Sequence, residues 1–135
     1  MIEAREASEV LSLTCIVCPL SCALTVTVAG EGEGRLIERV AGNTCRRGAE
    51  YAVAEVMHPL RTLTSTVAIS GARAARLPVR TRGEIPRAAI ARAMQEIARV
   101  AVKAPVKMGQ VILPDIAGTG VDLVASCDMP TVGSE

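Results

Sequence analysis

Cys15-Ile16-Val17-Cys18-Pro19-Leu20-Ser21-Cys22, followed at once by Ala23 to Ala29 (ALTVTVA), is the stretch from which the first half of the chain can be read. The seven residues after Cys22 alternate and are rich in β-branched side chains, which predicts a strand. Glu31-Gly32-Glu33-Gly34 turns the chain back, and Arg35 to Val40 (RLIERV) returns as the second strand of a hairpin. The return brings Gly42-Asn43-Thr44-Cys45 toward the loop that holds the first three cysteines. The 22 residues separating Cys22 from Cys45 are then the distance out and back. Arg46 to Met57 has helical spacing, with Tyr51, Val53 and Val56 available for packing, and His58-Pro59 ends it.

Cys15, Cys18, Cys22 and Cys45 are expected to act as thiolate ligands to one inorganic centre. Gaps of two and three residues let three sulfurs converge from one looped segment, with the fourth supplied by a remote turn. Structural zinc usually takes its cysteines as two separated pairs, whereas this chain divides them three and one. A [4Fe-4S] cube spreads its corners over a larger object than a single ion, so the spacing favours the cluster and leaves zinc as the alternative. It is not the bacterial ferredoxin run, because the proline, Pro19, follows the second cysteine. Arg46 and Arg47 flank the fourth ligand, where positive charge favours the reduced centre; Thr14, Asn43 and Gly48 are further neighbours of interest. His58, the single histidine, is a weaker candidate because four cysteines already complete the set. Cys127 has no cysteine near it in sequence and reads as a small apolar residue at the end of a strand.

Met1 to Val10 is charged and has no apolar core, which reads as neither a signal nor a transit peptide. No segment approaches the ~18 apolar residues of a membrane span. The expected location is therefore cytoplasmic, where thiols stay reduced, and this argues against a disulfide framework. Half of the 135 residues are apolar, yet Tyr51 is the only aromatic. A core of Ala, Val, Ile and Leu buries less area per residue than one with rings, so a bound centre would add stability that packing alone does not supply.

The second half changes character. Arg61 to Ile69 and Leu77 to Thr81 are predicted strands joined by a turn at Ser70-Gly71. Glu84-Ile85-Pro86 is expected to open a helix over about Arg87 to Val102. Ile90, Ala93, Met94, Ile97 and Ala101 fall on one face of it, and Arg92, Glu96, Arg99 and Lys103 on the other. Gln110 to Leu113 and Val121 to Ser126 are short strands separated by Pro114, Gly118 and Gly120. Residues 61–107 hold 10 basic and 2 acidic side chains, against 5 and 8 in residues 1–60 and 0 and 4 in residues 108–135. So strong a basic segment suits an acidic protein partner or an ordinary solvated face. It lacks the aromatic platforms of single-strand binders, so no nucleic acid is expected as a partner. One histidine and no nucleophile elbow leave no catalytic triad. Gly30, Gly32 and Gly34 join two strands and do not open a helix, so they make no dinucleotide fingerprint.

CxxCPxxC, then a strand, a Gly-rich turn and GNxCxRG with a helix behind, resembles the amino-terminal [4Fe-4S] segment of molybdopterin-dependent oxidoreductases as far as about Arg61. A longer resemblance runs from Leu11 to about Ser126. Its landmarks are Leu13-Thr14-Cys15-Ile16-Val17-Cys18-Pro19, Gly42-Asn43-Thr44-Cys45, Pro59-Leu60-Arg61, Ala104-Pro105-Val106-Lys107 and Gly118-Thr119-Gly120-Val121-Asp122. On these the chain resembles a small cysteine-rich family of formerly unknown function that accompanies flavin-dependent glycerol-3-phosphate dehydrogenase-like proteins and NAD(P)H-linked flavoprotein oxidoreductases. Ser21 departs from the pattern, which carries glycine before the third cysteine. The resemblance implies an FAD-dependent dehydrogenase or NAD(P)H-linked flavoprotein as partner. It implies for this chain the part of an iron-sulfur electron-transfer subunit, not itself catalytic. The alternative is a zinc-binding structural or interaction module with no redox role. The expected fold is α+β: an extension over residues 1–10, a cysteine-rich hairpin lobe with a short helix over 11–60, and a small sheet packed by one amphipathic helix over 61–135.

Overall fold

The computed structural model describes residues 8–133 of the chain. It is an α+β protein that divides into two compact units, Met1–Pro59 and Leu60–Glu135. The extension read at Met1 to Val10 lies outside the described residues up to position 7.

The first unit holds an antiparallel sheet of order β1-β2-β3, made of β1 (Glu9–Thr14), β2 (Ala23–Ala29) and β3 (Leu36–Ala41). Strand β1 corrects the sequence reading, which ended an extension at Val10 and saw no strand before the cysteines. Leu11 and Leu13 are half-buried while Ser12 and Thr14 are exposed, a period-two pattern too short to stand out beside a charged leader. In β2 the inward residues Leu24, Val26 and Val28 are buried. They pack against helix α1 (Arg46–Met57), whose buried stripe is Gly48 and Ala52, with Tyr51 and Val56 half-buried beside it. Val53, expected to pack, is instead 43% exposed. Small residues at positions 48 and 52 set the contact line, and Val53 lies off that line.

The second unit contains a five-stranded sheet of order β8-β5-β6-β10-β9 and a two-stranded ribbon. Strand β4 (Leu60–Arg61) pairs with β7 (Ile85–Pro86) in the ribbon; β5 (Thr64–Ser70) and β6 (Arg76–Thr81) form the central hairpin. Ile85 and Pro86 therefore do not open the helix, as their sequence suggested. After a single 3-10 turn, α2 runs over Ile90–Ile97, half the expected length. It stops in two tight turns, with Arg99 N–H donating to the Glu96 carbonyl and Val100 N–H to that of Ile97. The chain then continues as β8 (Ala101–Lys103), parallel to Ala68–Ser70 of β5. The open edge of β5 and the β-branched Val100 and Val102 outweigh the helical preference of Ala101 between them. Strands β9 (Val111–Leu113) and β10 (Leu123–Ala125) complete the sheet. Val67, Ile69, Leu77, Val79, Ile97 and Leu123 lie in its core.

Glu96 was read on the solvent face of the helix. Its Oε2 instead accepts a hydrogen bond from the Ala117 N–H at 2.8 Å, while Oε1 pairs with Arg92 at 3.3 Å. Ala117 has φ of 52° and Asp115 has φ of 47°, so two L residues hold left-handed backbone in the turn between β9 and β10. The Asp115 carboxylate accepts from Gly120 N–H at 2.6 Å, and that of Asp122 accepts from Asp115 N–H at 3.1 Å. Carboxylates thus hold the turn in a conformation its sequence alone disfavours.

Candidate metal centre

The loop bearing the first three cysteines is the connection of the β1–β2 hairpin. Its ladder ends at the Thr14–Ala23 pair, and one further bond, Cys15 N–H to the Cys22 carbonyl at 2.9 Å, sets these two residues opposite each other. Inside the loop, Ser21 N–H reaches the Cys18 carbonyl at 3.5 Å, and Ser21 itself has φ of 51°. The third strand returns toward the loop: its ladder ends at the Thr25–Ala41 pair, and the chain leaves the sheet at Gly42. The Cys22 Sγ and Thr44 Oγ1 atoms are 3.1 Å apart. Gly42 makes the exit possible: its φ is 88°, and a side chain there would overlap the carbonyl oxygen of Ala23.

Helix α1 begins immediately behind. Cys45 is its N-cap residue, and Asn43 braces the turn by donating from Nδ2 to the Cys45 carbonyl at 3.2 Å. At Gly48 a Cβ would stand 3.1 Å from the Asn43 Cβ and 3.7 Å from the Cys15 Sγ. The first turn of α1 therefore lies on the buried Cys15 with no side chain between them. Cys15 is 4% exposed, Cys18 and Cys22 are partly covered, Cys45 is open to solvent, and all are free thiols.

Among the described residues, no group of three or more His, Cys, Asp and Glu side chains stands close enough together to hold a metal ion. The four thiols share one end of a sheet rather than a closed ligand sphere. At Gly48 the helix start closes onto Asn43 and Cys15, so the thiols as placed do not surround a space for a bound group.

Residues 46–127 match a family described as a protein of unknown function, DUF1667. The chain belongs to this family. The DUF1667 match begins directly behind Cys45, so it carries α1 and the second unit as far as Cys127 but none of Cys15, Cys18, Cys22 and Cys45. No curated protein matches the chain. The chain is similar in fold to the NMR structure of the Clostridium perfringens protein CPE0013, at 23% identity and a TM-score of 0.51. That likeness covers 56% of this chain and 91% of the other. No helix among the described residues is long and apolar enough to cross a membrane.

Within this DUF1667 protein the electrostatics at the helix start are uneven. The backbone N–H groups of Gly48 and then Arg47 face Cys45 and hold its thiol below the ordinary value; the Arg47 side chain adds a smaller effect in the same direction. The Cys45 side chain makes no capping hydrogen bond, and the N–H groups of a helix start favour an anion beside them. Of the two arginines proposed from sequence, Arg46 is turned to Glu50 at 2.7 Å, with its side chain 91% exposed. Thr14 ends β1 with its side chain exposed. Thr44, overlooked in sequence, is the hydroxyl that meets a sulfur. That contact spans 22 residues of sequence and left no local signal. His58 caps the far end of α1, about 18 Å along a 12-residue helix from Cys45. There it lines a cleft of about 490 Å³ with Glu33, Arg35 and Met57, which removes it from the ligand set. Cys127 belongs to the second unit and packs on the edge of its core.

Proposed function

We propose that Cys15, Cys18, Cys22 and Cys45 hold a [4Fe-4S] cluster, and that the protein is an electron-transfer subunit of a flavin-dependent dehydrogenase. When bound, such a centre supplies one-electron storage between a flavin and its acceptor. The observation that carries the reading is the meeting of the cysteine loop with the Thr44-Cys45 turn at one sheet end, at 3.1 Å between Cys22 Sγ and Thr44 Oγ1. The division of ligands three and one supports a cluster over zinc. This chain's own residues bury one sulfur, Cys15, present N–H donors to another, Cys45, and leave the outer loop accessible. The partner, an FAD-dependent or NAD(P)H-linked flavoprotein, comes from the family resemblance alone.

Anaerobic purification with iron, sulfide and zinc analysis tests the centre. Iron and inorganic sulfide in near-equal amounts, with a brown colour bleached by dithionite, are expected. Stoichiometric zinc without iron would replace the redox role with the structural one. Cys45→Ser is expected to lower occupancy while Cys127→Ser leaves it unchanged; equal loss in both would remove Cys45 from the set. Co-purification of a flavoprotein under reducing, oxygen-free conditions tests the partner.

A further inference from the structure

We infer that Cys15 and Cys22 are a reversible dithiol pair of the metal-free chain, closing to a disulfide across the mouth of the β1–β2 loop when a small-molecule disulfide oxidises them. The inference goes beyond the metal-centre reading and does not rest on it. The two residues extend the β1–β2 ladder by one step past the Thr14–Ala23 pair, and the Cys15 N–H donates to the Cys22 carbonyl at 2.9 Å. Directly opposed residues of an antiparallel pair have Cα atoms about 4.5–5.5 Å apart, inside the span of about 4.4–6.8 Å that a disulfide bridges. Opposed side chains also leave the same face of the sheet. That face is the inner one: Leu13 and Leu24 form the inward pair two residues along each strand, and both cysteines belong to the same apolar cluster. One segment, residues 43–48, covers both sulfurs. Cys22 Sγ lies 3.1 Å from Thr44 Oγ1, and Cys15 Sγ lies beneath Gly48.

The other thiols are placed differently. Cys18 stands at the turn of the loop, where its carbonyl accepts from the Ser21 N–H at 3.5 Å, and Cys45 is the exposed N-cap of α1. Cys127 is in the second unit. Exposure sets the order of events. Cys22 is partly exposed and Cys15 is 4% exposed, so the outer thiol meets the oxidant and the inner one resolves. The Cys22 thiolate attacks one sulfur of the small disulfide, whose S–S bond breaks and whose other half leaves as a thiol. The Cys15 thiolate then attacks the Cys22 sulfur of the mixed disulfide and expels the second half. The protein gives up two protons and two electrons, and one small disulfide becomes two thiols. The loop thereby registers the poise of the surrounding thiol pool.

To test this, the full chain is stripped of metal with EDTA in excess dithiothreitol and moved without oxygen into mixtures of reduced and oxidised glutathione. It is then quenched with iodoacetamide and weighed by mass spectrometry. As oxidised glutathione rises, two of the five thiols are expected to escape alkylation, with two hydrogens lost and no glutathione attached. Dithiothreitol restores all five. Cys22→Ser, at a partly exposed position, should abolish the internal bond, while Cys18→Ser and Cys45→Ser each keep it. Cleavage at Leu20 locates the bond in the unmutated chain, because a Cys15–Cys22 bond holds the two pieces together until it is reduced. The inference is overturned by pieces that part without reductant, by an internal bond that survives Cys22→Ser or disappears with Cys18→Ser or Cys45→Ser, or by glutathione adducts with no internal bond. None of these outcomes bears on iron or zinc content, so the metal-centre reading stands or falls separately.

Discussion

Ser21 holds φ of 51° at the position before the third cysteine. Left-handed backbone costs an L residue about 1–2 kcal/mol. Glycine gives back about 0.5–1 kcal/mol through its freer unfolded chain. Ser21→Gly is therefore expected to stabilise the first unit by roughly 0.5–1 kcal/mol in urea unfolding, with the cysteines unaffected. Ser21 thus sits in backbone that a glycine would adopt at lower cost. At Cys45 the depressed thiol makes a second prediction, on the metal-free protein. A group held below its ordinary value of 9.0 ionises at lower pH, so alkylation by iodoacetamide should rise at lower pH than for an ordinary thiol. Arg47→Gln is expected to return the midpoint only part of the way upward, because the larger effect comes from backbone N–H groups that the substitution leaves in place.

Elements repeat the lesson at a larger scale, through turns whose geometry tolerates little. Gly42→Ala would force a Cβ into the Ala23 carbonyl at a left-handed position, and is expected to cost about 2 kcal/mol or more in thermal or urea unfolding. In the second unit Glu96→Ala removes the acceptor for the Ala117 N–H and should cost about 1–3 kcal/mol, measured the same way. Strand β2, strand β3 and helix α1 were legible because alternation, a Gly-rich turn and a proline stop all agree there. Strand β8 was not, since Ala101-Val102-Lys103 continues a helical pattern and becomes a strand only through pairing with Ala68–Ser70. The four cysteines announced themselves by spacing. The contact of Thr44 with the Cys22 sulfur did not, because it joins residues 22 apart and leaves no local signal.

Across the whole molecule the two units differ in their means of stability. The first buries Cys15, Leu24, Val26, Val28 and Ala52, a small set that includes one of the proposed ligands. The second has a broader apolar core and carboxylate-held turns. Removal of a bound centre by chelation is expected to lower the unfolding transition of the first unit and leave that of the second in place. Tyr51 fluorescence reports the first unit alone, since it is the only aromatic, while far-ultraviolet circular dichroism reports both. A single transition shifting in both signals would show that the centre stabilises the entire chain. The β2–β3 pairing also acts as a ruler with integer marks. Residues may be gained or lost at the tip, positions 30–35, with the sulfur of Cys22 still facing the hydroxyl of Thr44. A single residue inserted within the paired stretch, between 25 and 27, turns Val26 from the core to the other face. Length variation among relatives should accordingly collect at the tip and spare the paired stretch.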